Sequence, residues 1–143
     1  MSLIQKSRTR LKGLSFDICE NKILMVKNDK HPYFYTVGGR VEYGETSESA
    51  VLREAFEETN MRFEIERLAF VHENFTHIDC FGDSFCHEVG LYYLMKTPGD
   101  ISHMKCDSRG ESGVKESLHW LPLDKLADFH FIIPSFTKPS CVI

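Results

Sequence analysis

The sequence predicts an α/β fold in which a mixed β-sheet carries helices on it. Three observations point there. Strand-like segments stand on both sides of one strong helix. A weaker helix follows late in the chain. The 143 residues, 42% of them hydrophobic, suffice for one core. A chain of this size buries roughly 68–70% of the surface its unfolded form exposes. The reading is one domain across residues 1–143, with no internal repeat and no low-complexity segment.

The elements follow in order. Residues 8–19 read as a strand, with Leu11, Leu14, Phe16 and Ile18 on a partly alternating pattern. Glu20-Asn21-Lys22 is a tight turn, and Lys22 to Lys27 is a short apolar run with polar ends, so the chain opens with a hairpin. Asn28 to Pro32 is loop by composition. Tyr33 to Val37 returns to strand character until Gly38-Gly39 breaks it, and Gly44 follows. Thr46 to Asn60 is the best helix in the chain. Thr46 is its N-cap, Glu48 places a carboxylate in the first turn, and Asn60 stands where a left-handed C-terminal residue belongs. Val51, Leu52, Ala55 and Phe56 form its apolar stripe. Phe63 to His77 and Ser84 to Lys96 are two long strands joined around Gly82-Asp83. Residues 97–115 are polar and irregular, Ser117 to Leu121 is a short strand, and Leu123 to Asp128 begins a small helix. Pro134 and Pro139 punctuate an apolar tail.

Composition narrows the function classes. The formal net charge is −4, and the one mildly basic stretch, Lys6 to Lys12, reads as a basic first strand. A nucleic-acid groove needs a basic footprint that is absent, so no nucleic-acid polymer is expected as partner. The five cysteines (Cys19, Cys80, Cys86, Cys106 and Cys141) are odd in number and contain no C-x-x-C. Neither a zinc ribbon nor a disulfide framework fits them, and reduced thiols in a cytoplasm are the simpler account of all five. No apolar run reaches the ~18–20 residues of a membrane span, and the N-terminus has no apolar signal core. The expectation is a cytoplasmic protein with no membrane partner.

The chemistry lies on the helix. Glu54, Glu57 and Glu58 stand at i, i+3 and i+4, within an arc of roughly 100° at ~100° per residue. The apolar stripe is expected on a separate face. Three carboxylates this close repel one another, and a hard divalent cation with oxygen ligands would offset that. A solvated acidic face is the plainer reading of the triplet alone. The triplet is not alone, because Gly38-Gly39 and Gly44-Glu45 lie in the loop that feeds the same helix, and Arg53 reaches Glu57 as an i, i+4 pair.

Gly39, Glu45, Arg53-Glu54, Glu57-Glu58 and Met61 resemble the Nudix box, G-x5-E-x7-R-E-U-x-E-E-x-G-U with U apolar, which here reads GRVEYGETSESAVLREAFEETNM. Ala55 and Met61 fill the U positions. Asn60 replaces the usual Gly, a conservative change because Asn tolerates the left-handed conformation. Val37 stands where Pro is often found. The hairpin before the box, the long strands after it and the Trp120 to Asp124 segment are similar to the family too.

The resemblance implies an α/β/α sandwich with a mixed sheet. It also implies hydrolysis of a nucleoside diphosphate linked to another moiety X, with Mg²⁺ as cofactor and Mn²⁺ as an alternative. Glu54, Glu57, Glu58 and the Gly38 carbonyl are the implied metal ligands. Arg53 would orient Glu57, and Glu45 would brace the loop. The general base stays open between Glu54 and the carboxylates outside the box, Glu88, Glu111 and Glu116. His87, Glu88 and Tyr35 are candidate substrate contacts. His72-Glu73, His77 and His87-Glu88 would meet across the long hairpin, and Tyr33, Phe34 and Tyr35 could stack on a base. The expected partner is a small-molecule nucleotide, with a homodimer as one arrangement family members adopt. Two rivals remain: a Nudix-fold nucleotide-binding or regulatory module with little turnover, and an enzyme acting on a capped RNA end. Retention of every box carboxylate weighs against the first, and the acidic balance against the second.

Overall fold

A computed structural model describes residues 7–30, 32–78, 84–105 and 113–129. Strand β1 (Ser7–Cys19) turns into β2 (Lys22–Asn28) through Glu20 and Asn21, both at positive φ, 50° and 60°. Two successive left-handed residues give the turn whose twist matches that of the strands. The hairpin is paired only at its base, Ile18 opposite Ile23 and Cys19 opposite Lys22. Beyond it the strands part. β1 runs parallel to β6 (Ser84–Lys96), which pairs antiparallel with β5 (Glu64–Ile78). β2 pairs antiparallel with β7 (Glu116–Pro122) on one side and with the two-residue β3 (Tyr35–Thr36) on the other. The sheet is mixed, as the sequence predicts, with β1/β6 as its parallel pair among the described residues.

The Gly38-Gly39 pair departs from the expectation of a break. The chain changes partner there instead of leaving the sheet. Tyr35 and Thr36 pair with β2, the Val37 carbonyl accepts the Ser15 N–H at 2.8 Å, and β4 (Gly38–Arg40) pairs with β1. The helix lies close against these strands. A Cβ on Gly39 would sit 2.5 Å from the Glu54 carboxylate, and one on Gly13, its partner across β1, 2.8 Å from the Ser47 carbonyl oxygen.

Helix α1 spans Ser47–Thr59 with the caps where the sequence places them. The Thr46 hydroxyl accepts the Ser49 N–H at 3.1 Å, and Asn60 adopts φ 59°. Its buried face differs from the predicted stripe. Val51 and Ala55 are fully buried, but Leu52 and Phe56 are exposed, with the Arg62 guanidinium lying 4.7 Å over the Phe56 ring. Ala50, Val51, Ala55, Glu58 and Thr59 face the sheet. The carboxylates therefore do not occupy a face apart from the core. Glu58 lies within the core-facing arc.

Alternation along the strands builds a core on each side of the sheet. Leu24, Val26, Tyr93 and Met95 join Val51 and Ala55 on the α1 side. Ile23, Met25, Phe34 and Tyr92 form the other side, against Leu123, Leu126 and Phe129. The late helix is a 3-10 helix, Leu123–Asp128, so the second outer layer of the sandwich is a short 3-10 turn among the described residues. Glu111, Cys80, Cys106, Cys141, Gly82-Asp83, Pro134 and Pro139 lie outside the described residues. Cys19 is a free thiol. No helix among the described residues is long and apolar enough to cross a membrane.

Candidate active site

Arg53 organises the exposed half of the site. Its Nη2 and Nε fork the Glu45 carboxylate at 2.7 and 3.2 Å, and Nη2 also donates to the Arg40 carbonyl at 3.1 Å. Its Nη1 donates to Glu54 at 3.0 Å and to Glu57 at 3.4 Å. One guanidinium thus ties together the end of β4, the loop and two of the three helix carboxylates, as a planar five-donor group can. Glu45 Oε1 also accepts the Glu42 N–H at 2.8 Å. These bonds, Arg53 first, hold the Glu45 carboxyl below its usual range. The sequence paired Arg53 with Glu57, but its shortest contacts are to Glu45 and Glu54.

The inner half is compensated differently. Glu58 is 8% exposed, and its carboxylate accepts the Gly38 N–H at 3.4 Å. Burial first, then the charges of Glu116 and Glu54, push its carboxyl well above the carboxylate range despite that bond. Glu116, from β7, is buried too and accepts a hydrogen bond from the Tyr35 hydroxyl. Burial, then Glu116, raises the Tyr35 phenol so that it stays protonated. Glu54 stands between the halves. Burial raises its carboxyl, although Arg53 pulls the other way.

Among the described residues, no three Asp, Glu, His or Cys side chains converge on one point in a ready-made cation cage. The donor chemistry nevertheless fits a hard cation. Glu58 is an acceptor-only group, buried, facing other carboxylates and given one long amide bond. The charged groups around it, Glu116, Glu54 and Glu57, all offer oxygen.

The structure brings Glu45, Arg53, Glu54, Glu57, Glu58 and Gly38 together, and Tyr35 joins them through Glu116. His87 goes elsewhere. It meets Glu73 across the hairpin at 2.9 Å and stacks on Phe75 at 4.4 Å. Glu88 sits opposite Asn74 and Arg10, and its charge adds to the burial that raises the Tyr92 phenol. Two open clefts flank β7. One of about 470 Å³ is lined by Ile101, Met104, Lys105, Lys115, Glu116, Ser117, Leu118 and Trp120. The other, about 510 Å³, lies around Lys27, Asn28, Lys30, Ser117 and His119. The first cleft escaped sequence reasoning. Its available signal was the period of two that places Glu116, Leu118 and Trp120 on one face of β7.

The family model for the NUDIX domain matches residues 14–138. This chain belongs to the Nudix family. None of the curated proteins compared with it matches in sequence. A MutT NUDIX hydrolase from Burkholderia pseudomallei is 25% identical, with a TM-score of 0.57 over 82% of this chain and 85% of that one. An ADP-ribose pyrophosphatase from Streptococcus suis shares the fold at 17% identity and TM-score 0.57, over 86% of this chain and 79% of the other. The NUDIX domain of Shewanella oneidensis NrtR, in complex with ADP ribose, does so at 17% identity and TM-score 0.60, over 94% and 84%. With its box carboxylates in place, the protein is a Nudix-type pyrophosphohydrolase, and its reaction class is hydrolysis of a pyrophosphate bond.

Proposed function

We propose that this Nudix protein hydrolyses the pyrophosphate bond of a nucleoside diphosphate linked to a second moiety X, with Mg²⁺ or Mn²⁺ as cofactor and water attacking phosphorus. The observation that carries the reading is Glu58, a buried carboxylate set against Glu116 and Glu54 with too few protein donors of its own. Glu54, Glu57, Glu58 and the Gly38 carbonyl would hold the ion, with Glu116 as the nearest further carboxylate. A bound cation neutralises phosphoryl oxygens and lowers the pKa of a coordinated water.

The chain's own groups do the rest. Arg53 fixes the carboxylates of Glu54 and Glu57, and Glu45 fixes Arg53. The Tyr35 hydroxyl holds Glu116 in one orientation. Glu54, whose proton affinity burial raises, is the base we assign. Glu116 is the second candidate; each of the two has one oxygen engaged, by Tyr35 at Glu116 and by Arg53 at Glu54. The neighbours that hydrolyse or bind ADP ribose support a nucleotide with a sugar-bearing second half as the first substrate to try.

The test is a panel of nucleoside diphosphate derivatives incubated with Mg²⁺ or Mn²⁺ and scored by product identity. Glu57→Gln should abolish release of phosphate-containing product while the far-UV spectrum stays native. Full activity in that variant, or in excess chelator, sinks the metal assignment.

A further inference from the structure

β7 stands between the box carboxylates and the cleft of about 510 Å³. Ser117 and His119 alternate with Glu116, Leu118 and Trp120, so they point to the opposite side of the sheet. There they meet Lys27, which pairs with Ser117 across the ladder, and the turn of residues 28–30. Hydrogen bonds fix the floor. Ser117 Oγ donates to the Lys27 carbonyl at 3.2 Å, which leaves its oxygen to accept from His119 Nε2 at 2.9 Å. The His119 ring stands edge-on to the buried Phe34, 5.3 Å between centroids, and Lys27 Nζ lies 5.4 Å over that same Phe34 ring. The space is of small-molecule size. Its positive charge comes from Lys27 and Lys30, neither of which has an ion-pair partner among the described residues. Asp29 is the one acid among the described lining residues.

We infer that this cleft is a second, non-catalytic site for a small hydroxyl-bearing phosphomonoester, and that its occupancy is felt at Glu116. Two ammonium groups are compact point charges that suit phosphate oxygens, and the Asp29 carboxylate is an acceptor for a hydroxyl. The link to the carboxylates runs through the turn. The Lys30 N–H donates to Asn28 Oδ1 at 3.0 Å, the Asn28 side chain donates to the Tyr35 hydroxyl oxygen, and that hydroxyl donates to Glu116. The Asp29 N–H also bonds the Lys115 carbonyl at 3.3 Å, beside Glu116 in the chain. A ligand held by Lys30 therefore acts on the turn that Asn28 caps, and Asn28 orients the phenol that holds Glu116. Binding stands apart from the pyrophosphohydrolase reading, whereas the effect on turnover rests on it.

Isothermal titration calorimetry of the wild-type protein in chelator reads the binding, with glycerol 3-phosphate, inorganic phosphate and glycerol as separate titrants. Glycerol 3-phosphate should bind at one site per chain, and glycerol should not bind. Inorganic phosphate should bind about tenfold more weakly. Equal affinity would support the anion site and name free phosphate as its source. Lys27→Ala and Lys30→Ala should each weaken binding about tenfold and leave basal turnover unchanged. In steady-state assays, saturating glycerol 3-phosphate should change kcat about twofold or more in wild type and not in the lysine variants. No binding of either phosphate, binding that glycerol matches, or affinity undiminished in either lysine variant overturns the site. Saturable binding with kcat unmoved overturns the link to Glu116. Binding that the lysine variants lose, in a protein that hydrolyses no pyrophosphate substrate, supports the site and overturns the catalytic reading instead.

Discussion

Two groups of carboxylates meet around one helix and have opposite fates. Around Arg53, the carboxylates of Glu45, Glu54 and Glu57 share a guanidinium encoded in the chain, in a setting that water partly screens. One turn further, Glu58 and Glu116 face each other inside the protein with an amide and a phenol for company. The same chemical group is pulled down in one place and pushed up in the other: Glu45 holds its charge more readily than a free carboxylate, and Glu58 less. The first group locks the loop to the helix around a cation of its own, and the second is left short of positive charge.

After the loss expected of Glu57→Gln, the largest effect should come from Glu58→Gln. With Mg²⁺ present, kcat should fall by roughly 10²-fold or more. Without metal, the variant should melt at a higher temperature than wild type at neutral pH. The sign follows from the raised carboxyl. The folded state keeps this proton to higher pH than the unfolded state does. The associated penalty is therefore absent below the ordinary glutamate value of 4.5 and grows as pH rises from there toward the folded value. Calorimetry in chelator across that range checks it, and a Gln variant less stable at neutral pH breaks the comparison. Mg²⁺ should stabilise wild type through binding to the native state, and Glu58→Gln much less.

Arg53→Ala comes next. It removes the built-in cation, so Glu54 and Glu57 lose their positions and kcat should fall about 10–100-fold. The stability loss should be only about 1 kcal/mol, because the Arg53 side chain is 28% exposed and the pairs are screened. A larger loss in a denaturant titration would mean that the exposed group carries the fold.

Gly39→Ala sharpens the boundary between the halves. Its Cβ would meet only the far end of the Glu54 side chain, which can swing away. Melting temperature should barely move while kcat drops about tenfold. Gly13→Ala meets backbone instead and should cost about 1–3 kcal/mol. The smallest effect belongs to Asn60→Gly. It relaxes a residue at φ 59° and should stabilise by about 0.5 kcal/mol with kinetics unchanged.

The parts of this site that were legible in the sequence are those that depend on neighbours along the chain. The helix, both caps and the spacing of Glu45, Arg53 and the three helix glutamates needed only local rules. The orientation of the helix did not follow from them. Hydrophobicity favoured Leu52 and Phe56 for the core, yet the close approach of β4 at Gly39 and of β1 at Gly13 selects the small face of Ala50 and Ala55 and takes Glu58 with it. Glu116 was one candidate among several, because its place beside Tyr35 depends on a strand pairing that brings residues 81 positions apart together. The change of partner at Val37 was hidden for the same reason.

The parallel pairing of β1 with β6 also sets an order of events. β1 has two register partners in β2 and three in β4, but from Ser7 to Asp17 it is matched by β6. As the chain leaves the ribosome, α1 can form early from local contacts, while the strand beneath it waits for Ser84–Lys96 to be made. Closure of that long loop is slow, and until it happens β1 presents an unpaired edge. The box is thus synthesised before β6, which flanks the strand beneath it, and before β7, which brings Glu116. The carboxylate site is complete only when both have been made.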